Sequence, residues 1–170
     1  VIVDNNNPTI QTQTADAVGS SAGMLPIRLV LFDIDGTLVS TGGAGVKAFG
    51  EAFEAAFGIP NATEKIKFAG RTDYSLFREL CQWNEVEFSV AHRDLFFENY
   101  LRLVDNHLQA NEGGPFPGVV KLLDDLAALP DAPVIALLTG NIEEGAKRKL
   151  GKYDLWDRFA FGGFANDNED

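Results

Sequence analysis

The sequence predicts an α/β protein: a parallel-sheet core interrupted, after its first strand, by a helical cap. Two short apolar runs, Ile27 to Phe32 (IRLVLF, broken only by Arg28) and Pro133 to Gly140 (PVIALLTG), each end in a polar, glycine-containing turn. That is the pattern of strands buried on both faces of a parallel sheet. Between them, from Gly45 to about Asn111, the apolar spacing is helical with little strand signal. After the second run, NIEEGAKRKLG places acids in the first turn of a helix and bases in the last, as the helix macrodipole favours. Strands alternating with helices imply right-handed crossovers.

Taken in order, residues 1–23 are rich in Asn, Gln, Thr, Ser and Ala without an apolar period. They read as a flexible leader, or as foreign sequence ahead of a natural start at Met24. STGGAG (Ser40 to Gly45) is a hinge candidate. A helix follows with Phe49, Ala52, Phe53, Ala56 and Phe57 on one face, ended by Gly58 and Pro60. A second helix is expected over about Thr72 to Trp83. A third begins at the N-cap Ser89, with Leu95, Tyr100, Leu103, Val104 and Leu108 at near-helical spacing. NEGGPFPG (Asn111 to Gly118) returns the chain to the core, Val119 to Leu129 form an amphipathic helix, and FAFGGF (Phe159 to Phe164) starts a third strand. The expected division is a leader (1–23), a core (24–41 and 115–170) and a cap (42–114).

Composition narrows the function. With 170 residues, 45% of them hydrophobic and 13 Phe, the chain can bury one ordinary core and a small subdomain. A net charge of -11 argues against a broad basic patch, and so against nucleic acid or an anionic membrane as partner. An acidic chain that binds an anion must place its cations locally, as a metal ion, a lysine or a helix N-terminus. The single cysteine, Cys81, excludes an intrachain disulfide and reads as a buried inert thiol in a helix. No apolar stretch reaches the roughly 18 residues of a membrane span, and the N-terminus lacks the pattern of a secretory signal. The expectation is a cytoplasmic protein. His92 and His107 share a helix at a spacing that keeps them apart, so they read as surface residues.

The chemistry concentrates at Asp33-Ile34-Asp35-Gly36-Thr37, at the carboxyl end of the first strand, the edge where open α/β sheets bind ligands. Alternation puts Asp33 and Asp35 on one side, about 6–7 Å apart along the chain. Two carboxylates so close call for a cation between them or a proton on one, and Gly36 permits a tight turn directly afterwards. A calcium loop shares the D-x-D spacing, but its bidentate Glu would fall on Ala44, and a strand rather than a helix precedes it. A pair of solvated acids in an ordinary turn is the plain alternative, and the strand context speaks against it.

LFDIDGTL resembles the first motif, hhhDxDGT, of the haloacid dehalogenase superfamily, whose members have a Rossmann-like parallel core. The resemblance implies that Asp33 is a nucleophile forming an aspartyl-phosphate and that Asp35 is the general acid and base. It further implies that Gly36 and Thr37 contribute to phosphate binding, and that the Asp33 side chain and Asp35 carbonyl help ligate Mg²⁺. Leu137-Leu138-Thr139-Gly140-Asn141 resembles the second motif: the Thr139 hydroxyl would hold a phosphate oxygen, with Gly140, Asn141 and the amides of the following helix completing an anion site. Taken alone, a Thr-Gly pair after a strand is also a common turn. For the third motif, a base that neutralises nucleophile and phosphate, the candidates are Lys147, Arg148 and Lys149, with Lys149 preferred. The alternatives are a basic helix end that complements the dipole, or a later base near ANDNED.

The fourth motif, an acidic pair after a further strand, has no counterpart; Asp167, Glu169 and Asp170 lack a preceding apolar strand. The resemblance covers about Ile27 to Phe164, and the expectation is a fragment that stops before that motif, or a chain whose missing carboxylates come from another. GRTDYSLF (Gly70 to Phe77) resembles a cap segment that faces the active site, so Arg71 is a substrate-binding candidate, or else an exposed loop arginine. Gly42, Gly43 and Gly45 would let the cap open.

The second aspartate is shared with phosphatases and phosphomutases and is generally lacking in haloacid dehalogenases. Transport ATPases carry DKTGT, which does not match, and phosphonate hydrolysis would need a cap lysine, for which Lys47 carries no specific signal. The resemblance therefore implies Mg²⁺-dependent hydrolysis of a small phosphomonoester, with a small phosphorylated metabolite as partner. A sugar phosphomutase and a catalytically incomplete binding module are the alternatives.

Overall fold

The computed structural model describes residues 27–167; the expected leader lies outside the described residues. Three strands, β1 (Leu29–Phe32), β4 (Val134–Leu138) and β5 (Gly162–Gly163), form a parallel sheet in the order β1-β4-β5. A second ribbon pairs β2 (Val39–Ser40) antiparallel with β3 (Gly114–Pro115). Ser40 faces Gly114 in that ribbon, so the chain leaves the core and re-enters it at one stem. Between its strands run α1 (Ala44–Phe57), α2 (Asp73–Trp83) and α3 (Val90–Ala110). The crossover from β3 to β4 is α4 (Val119–Ala127), and α5 (Glu143–Gly151) with a 3₁₀ turn at Trp156–Arg158 leads from β4 to β5.

Local chemistry sets the ends of these elements. The Thr72 hydroxyl accepts from Ser75 N–H at 3.2 Å and the Ser89 hydroxyl from His92 N–H at 3.2 Å, capping α2 and α3. Gly58, at φ 72°, ends α1 in the left-handed conformation. The buried face of α3 is Phe96, Phe97, Tyr100, Val104 and Leu108. Leu95, expected inside, is exposed: the i, i+4 ladder from Phe96 to Leu108 faces α1, which turns Leu95 outward. Two smaller differences concern extents. Gly45 lies within α1, which confines the hinge candidate to Gly42 and Gly43, and α4 stops at Ala127.

Two apolar clusters result. One is built by the helical insert around Phe49, Phe53, Phe77 and Phe96, and reaches Ile142 and Ala165 of the core. The other holds Ile34, Leu38, Leu123, Leu137 and Leu150. The strands were expected to be buried on both faces, but Leu29 and Leu31 are 43% and 46% exposed while Val30 and Phe32 are partly covered. α4 and α5 contribute Leu123, Ala146 and Leu150 to one side of the sheet, and the face carrying Leu29 and Leu31 is open among the described residues.

Candidate active site

Because β1 and β4 pair in parallel, with Phe32 opposite Leu137, the two polar turns that follow them lie side by side. In the first turn the Ile34 carbonyl accepts from the amides of Thr37, Leu38 and Val39 at 3.3, 2.9 and 3.1 Å, and Gly36 takes a φ of 82°. The Ile34 side chain is fully buried, so alternation sends Asp33 and Asp35 to the opposite, open side. Both line a cleft of about 720 Å³ between core and insert, with Thr139, Asn141 and Lys149. Thr37, expected at the phosphate, does not line it; its amide is used inside the turn.

Asn141 is the hub of this site. Its Nδ2 donates to Asp35 Oδ2 and to Thr139 Oγ1, both at 2.8 Å. Its Oδ1 accepts from Lys149 Nζ at 2.6 Å, and the same ammonium donates to Asp35 Oδ2 at 2.7 Å. Lys149 is buried, and a buried ammonium persists where a carboxylate and hydrogen bonds compensate its lost hydration. Of the three basic candidates on α5 it alone turns inward: Lys147 is exposed, and Arg148 pairs with Asp105 at 3.0 Å and Glu144 at 2.9 Å. The resemblance led us to expect this base at the nucleophile; it meets Asp35 instead. Asp33 is exposed, and among the described residues no hydrogen bond or ion pair reaches its carboxylate.

The amides that open α5 are not vacant. Asn141 N–H donates to Thr139 Oγ1 at 3.3 Å, Ile142 N–H to Asp73 Oδ2 at 2.9 Å, and Glu143 N–H to Asn166 Oδ1 at 2.9 Å. A helix N-terminus free for an anion, as the sequence suggested, is therefore already filled by the chain's own acceptors. Thr139 gains from this arrangement. Its oxygen accepts two hydrogen bonds from Asn141, so the hydroxyl proton is the part left to offer an incoming anion.

Arg71 lines the cleft, but its guanidinium lies along α2, with Nη2 2.7 Å from Glu79 Oε2 and Nε 3.3 Å from Ser75 Oγ. Its backbone makes the closer approach to the core: a Cβ on Gly140 would stand 2.2 Å from the Arg71 carbonyl oxygen. Asp73, two residues on, was not singled out in the sequence. It is buried, and its backbone N–H donates to Gly140 O at 2.7 Å. Burial pushes its carboxyl up to about 6, against the downward pull of Lys149 and the Ile142 amide and with a small upward push from Asp35. An acid at the first position of a helix ordinarily reads as a complement to the macrodipole, so the sequence held no signal for this role. His92 and His107 stay apart from the site, on Glu87 O at 2.7 Å and Glu51 Oε2 at 2.8 Å.

Two carboxylates and a turn carbonyl are hard oxygen donors of the kind Mg²⁺ takes, and Mg²⁺ keeps several waters, so one or two protein carboxylates can hold it. Asp33, free of other partners among the described residues, suits that part. Among the described residues no group of three His, Cys, Asp or Glu converges as a denser cation site.

Fold and site together define an α/β protein with an aspartate-bearing turn at the sheet's carboxyl edge and a helical insert above it. The chain belongs to the haloacid dehalogenase-like hydrolase family, whose pattern matches residues 30–168. Solved structures agree on the fold. A hydrolase from Pseudomonas syringae is 21% identical, with 85% of this chain covering 64% of that one at a TM-score of 0.65. A predicted phosphoglycolate phosphatase from Haemophilus somnus 129pt is 19% identical, with 87% covering 67% at 0.62. CbbY from Rhodobacter sphaeroides, solved in complex with phosphate, is 17% identical, with 85% covering 66% at 0.58. The chain thus spans about two thirds of the length of each. Among curated proteins no match was found.

Proposed function

We propose that this chain carries the phosphoryl-transfer site of a Mg²⁺-dependent phosphohydrolase acting on a small phosphomonoester through an aspartyl-phosphate. The observation that carries the reading is the division of labour between two neighbouring carboxylates. Asp35 is held by Lys149 and Asn141, whereas Asp33 has no partner among the described residues and is open to the cleft. Carboxylates placed in such different surroundings suit different tasks. Asp33, as nucleophile, attacks phosphorus. Asp35, oriented by its two partners, hands a proton to the leaving oxygen and then accepts one from water. The Thr139 hydroxyl and the Lys149 ammonium stabilise phosphoryl oxygens as charge builds, while Gly36, Gly140 and Asn141 shape the two turns. Bound Mg²⁺, held by the Asp33 side chain and the Asp35 carbonyl, would offset the repulsion between carboxylate and phosphate.

In this reading residues 24–41 and 115–170 form the core and residues 42–114 a cap, whose closure excludes water and favours a small soluble substrate. Arg71, at the cleft rim, would meet the substrate after leaving Glu79. No described helix is long and apolar enough to cross a membrane; a cytoplasmic setting, without nucleic acid or membrane partners, fits the acidic composition. A second reading, a binding module without turnover, draws support from the lack, among the described residues, of any group of three His, Cys, Asp or Glu that could hold a metal ion. Hydrolysis of an aryl phosphate with and without Mg²⁺, for the natural chain and for Asp33→Asn, separates the two. Metal-dependent turnover that vanishes in Asp33→Asn supports the hydrolase. Phosphate binding without turnover in either chain supports the module.

A further inference from the structure

Two of the contacts between insert and core are polar. At one, Arg148 and Lys152 beside α5 reach Asp105 and the Leu108 carbonyl of α3. At the other, the segment Arg71 to Asp73 lies against the turn Gly140 to Ile142, and this contact bears on the reaction. One residue of the insert makes both of its hydrogen bonds: Asp73 N–H donates to Gly140 O at 2.7 Å, and Asp73 Oδ2 accepts from Ile142 N–H at 2.9 Å. The two bonds bracket Asn141, whose amide places both Asp35 and Lys149. The absent side chain at Gly140 permits the approach, since a Cβ would collide with the Arg71 carbonyl.

Helix capping does not explain Asp73 within its own helix, because Thr72 already caps α2. By contrast the N-cap of α5, the helix that carries Lys149, is Ile142, a residue whose side chain cannot cap. Asp73 supplies that acceptor from 69 residues upstream. The site is also costly for a carboxylate: it is buried, and of the charged groups around it Lys149 attracts while Asp35 repels. The Tyr100 ring that faces the same cleft is uncharged, burial holding its hydroxyl well above the usual phenol range.

We infer that Asp73 is a positioning residue that clasps the cap onto the turn Gly140–Ile142 and thereby sets Asn141, Lys149 and Asp35 in register. The inference rests on reading the Asp33–Asp35 cleft as catalytic. Opening of the cap breaks both bonds of the clasp at once and releases Asn141, so the site is assembled only when the cap is docked.

The test uses the full chain as the natural sequence and as Asp73→Ala, Asp73→Asn and Ser89→Ala. Amide hydrogen exchange at Ile142 is read beside aryl phosphate kinetics with Mg²⁺. Asp73→Ala should speed Ile142 exchange and lower kcat, each by about tenfold or more, with KM changed by less than about threefold. Asp73→Asn, which keeps an acceptor of the same shape, should restore the protection of Ile142 and most of kcat. Ser89→Ala, which removes the cap of α3 at a distance from the clasp, should leave Ile142 exchange and kcat as they were. Natural exchange and kcat in Asp73→Ala overturn the inference, and so does an Asn variant as impaired as the Ala variant. If Asp33→Asn hydrolyses the ester at the natural rate, the catalytic reading fails, while Ile142 exchange still decides the clasp.

Discussion

Lys149 Nζ stands 2.7 Å from Asp35 Oδ2, while Asp33, two residues back on the same side of the chain, has no partner among the described residues. The ammonium pairs with one member of the carboxylate pair and leaves the other open toward the cleft. Removing either acid should therefore have a different effect. Asp33→Asn deletes the proposed nucleophile and is expected to abolish aryl phosphate turnover. Asp35→Asn keeps an acceptor for Lys149 but cannot exchange a proton, so turnover should fall by about 10²–10⁴. Asp33 is exposed and has no partner among the described residues, so thermal unfolding of Asp33→Asn should stay close to that of the natural chain, whereas Asp35→Asn leaves the buried Lys149 ammonium without its carboxylate and should unfold at lower temperature; unchanged rates in both would remove the mechanism.

Lys149 itself is held from below by α1. A Cβ on Gly45 would stand 3.2 Å from Nζ and 3.4 Å from Cε, tight enough that the ammonium must shift by a few tenths of an ångström against its partners. Helix propensity alone predicts that Gly45→Ala gains up to about 1 kcal/mol. The expected outcome is an unchanged or raised melting temperature together with a several-fold loss of turnover. Lys149→Met, which removes the charge but keeps the stem, should cost about 10²–10³ in kcat. A Gly45→Ala variant with undiminished turnover would mean that Lys149 is not placed by that contact.

The carboxyl of Asp73 makes stability depend on pH in an uncommon direction. Burial raises it from 3.8 to about 6, so between those values the folded chain binds a proton that the unfolded chain has released. Stability attached to the protonated form is present in full below about pH 4 and is lost as pH rises through about 6. Ionised Asp73 then costs the fold on the order of 3 kcal/mol at neutral pH, at about 1.4 kcal/mol per unit. Asp73→Asn escapes that cost while still accepting from Ile142. Urea unfolding should find the variant more stable at pH 7.5 and equal to the natural chain near pH 4; a constant difference across that window would contradict the burial argument.

Much of this was legible from residue order alone. Asp33 and Asp35 announced themselves by the strand before them and the glycine after, and Thr72 and Ser89 by their places ahead of apolar helical periods. Lys149 could be preferred but not separated from Lys147 and Arg148, because the rotation of α5 against the sheet, which buries one and exposes the other two, is a tertiary fact. Asp73 was invisible for a related reason: an acid that opens a helix looks the same whether it faces water or an amide 69 residues downstream. Leu29 and Leu31 show the converse failure, since a continuous apolar run signals what a strand could bury and not what lies over it.

The insert's aromatic cluster offers a reporter of its own integrity. Cys81 lies in that cluster, and burial pushes its thiol up to about 11, so at pH 8 the reactive thiolate is scarce and shielded. A disulfide reagent should leave the folded chain unlabelled and modify one thiol per chain after denaturation. Labelling of the native protein then requires the cluster to open. Phe96, fully buried among the rings of Phe49, Phe53, Phe77, Phe97 and Tyr100, is the side chain whose loss should ease that opening most. Phe96→Ala is expected to destabilise by about 3–5 kcal/mol, which speeds native-state labelling of Cys81 by about 10² or more when opening is a fast pre-equilibrium. Leu137→Ala, in the other cluster, loses comparable stability against unfolding of the core but removes no contact from Cys81's surroundings. If the insert opens by itself, labelling in Leu137→Ala should stay near the natural rate; equal acceleration in the two variants would mean that insert and core open together, with Ile142 and Ala165 binding one cluster to the other.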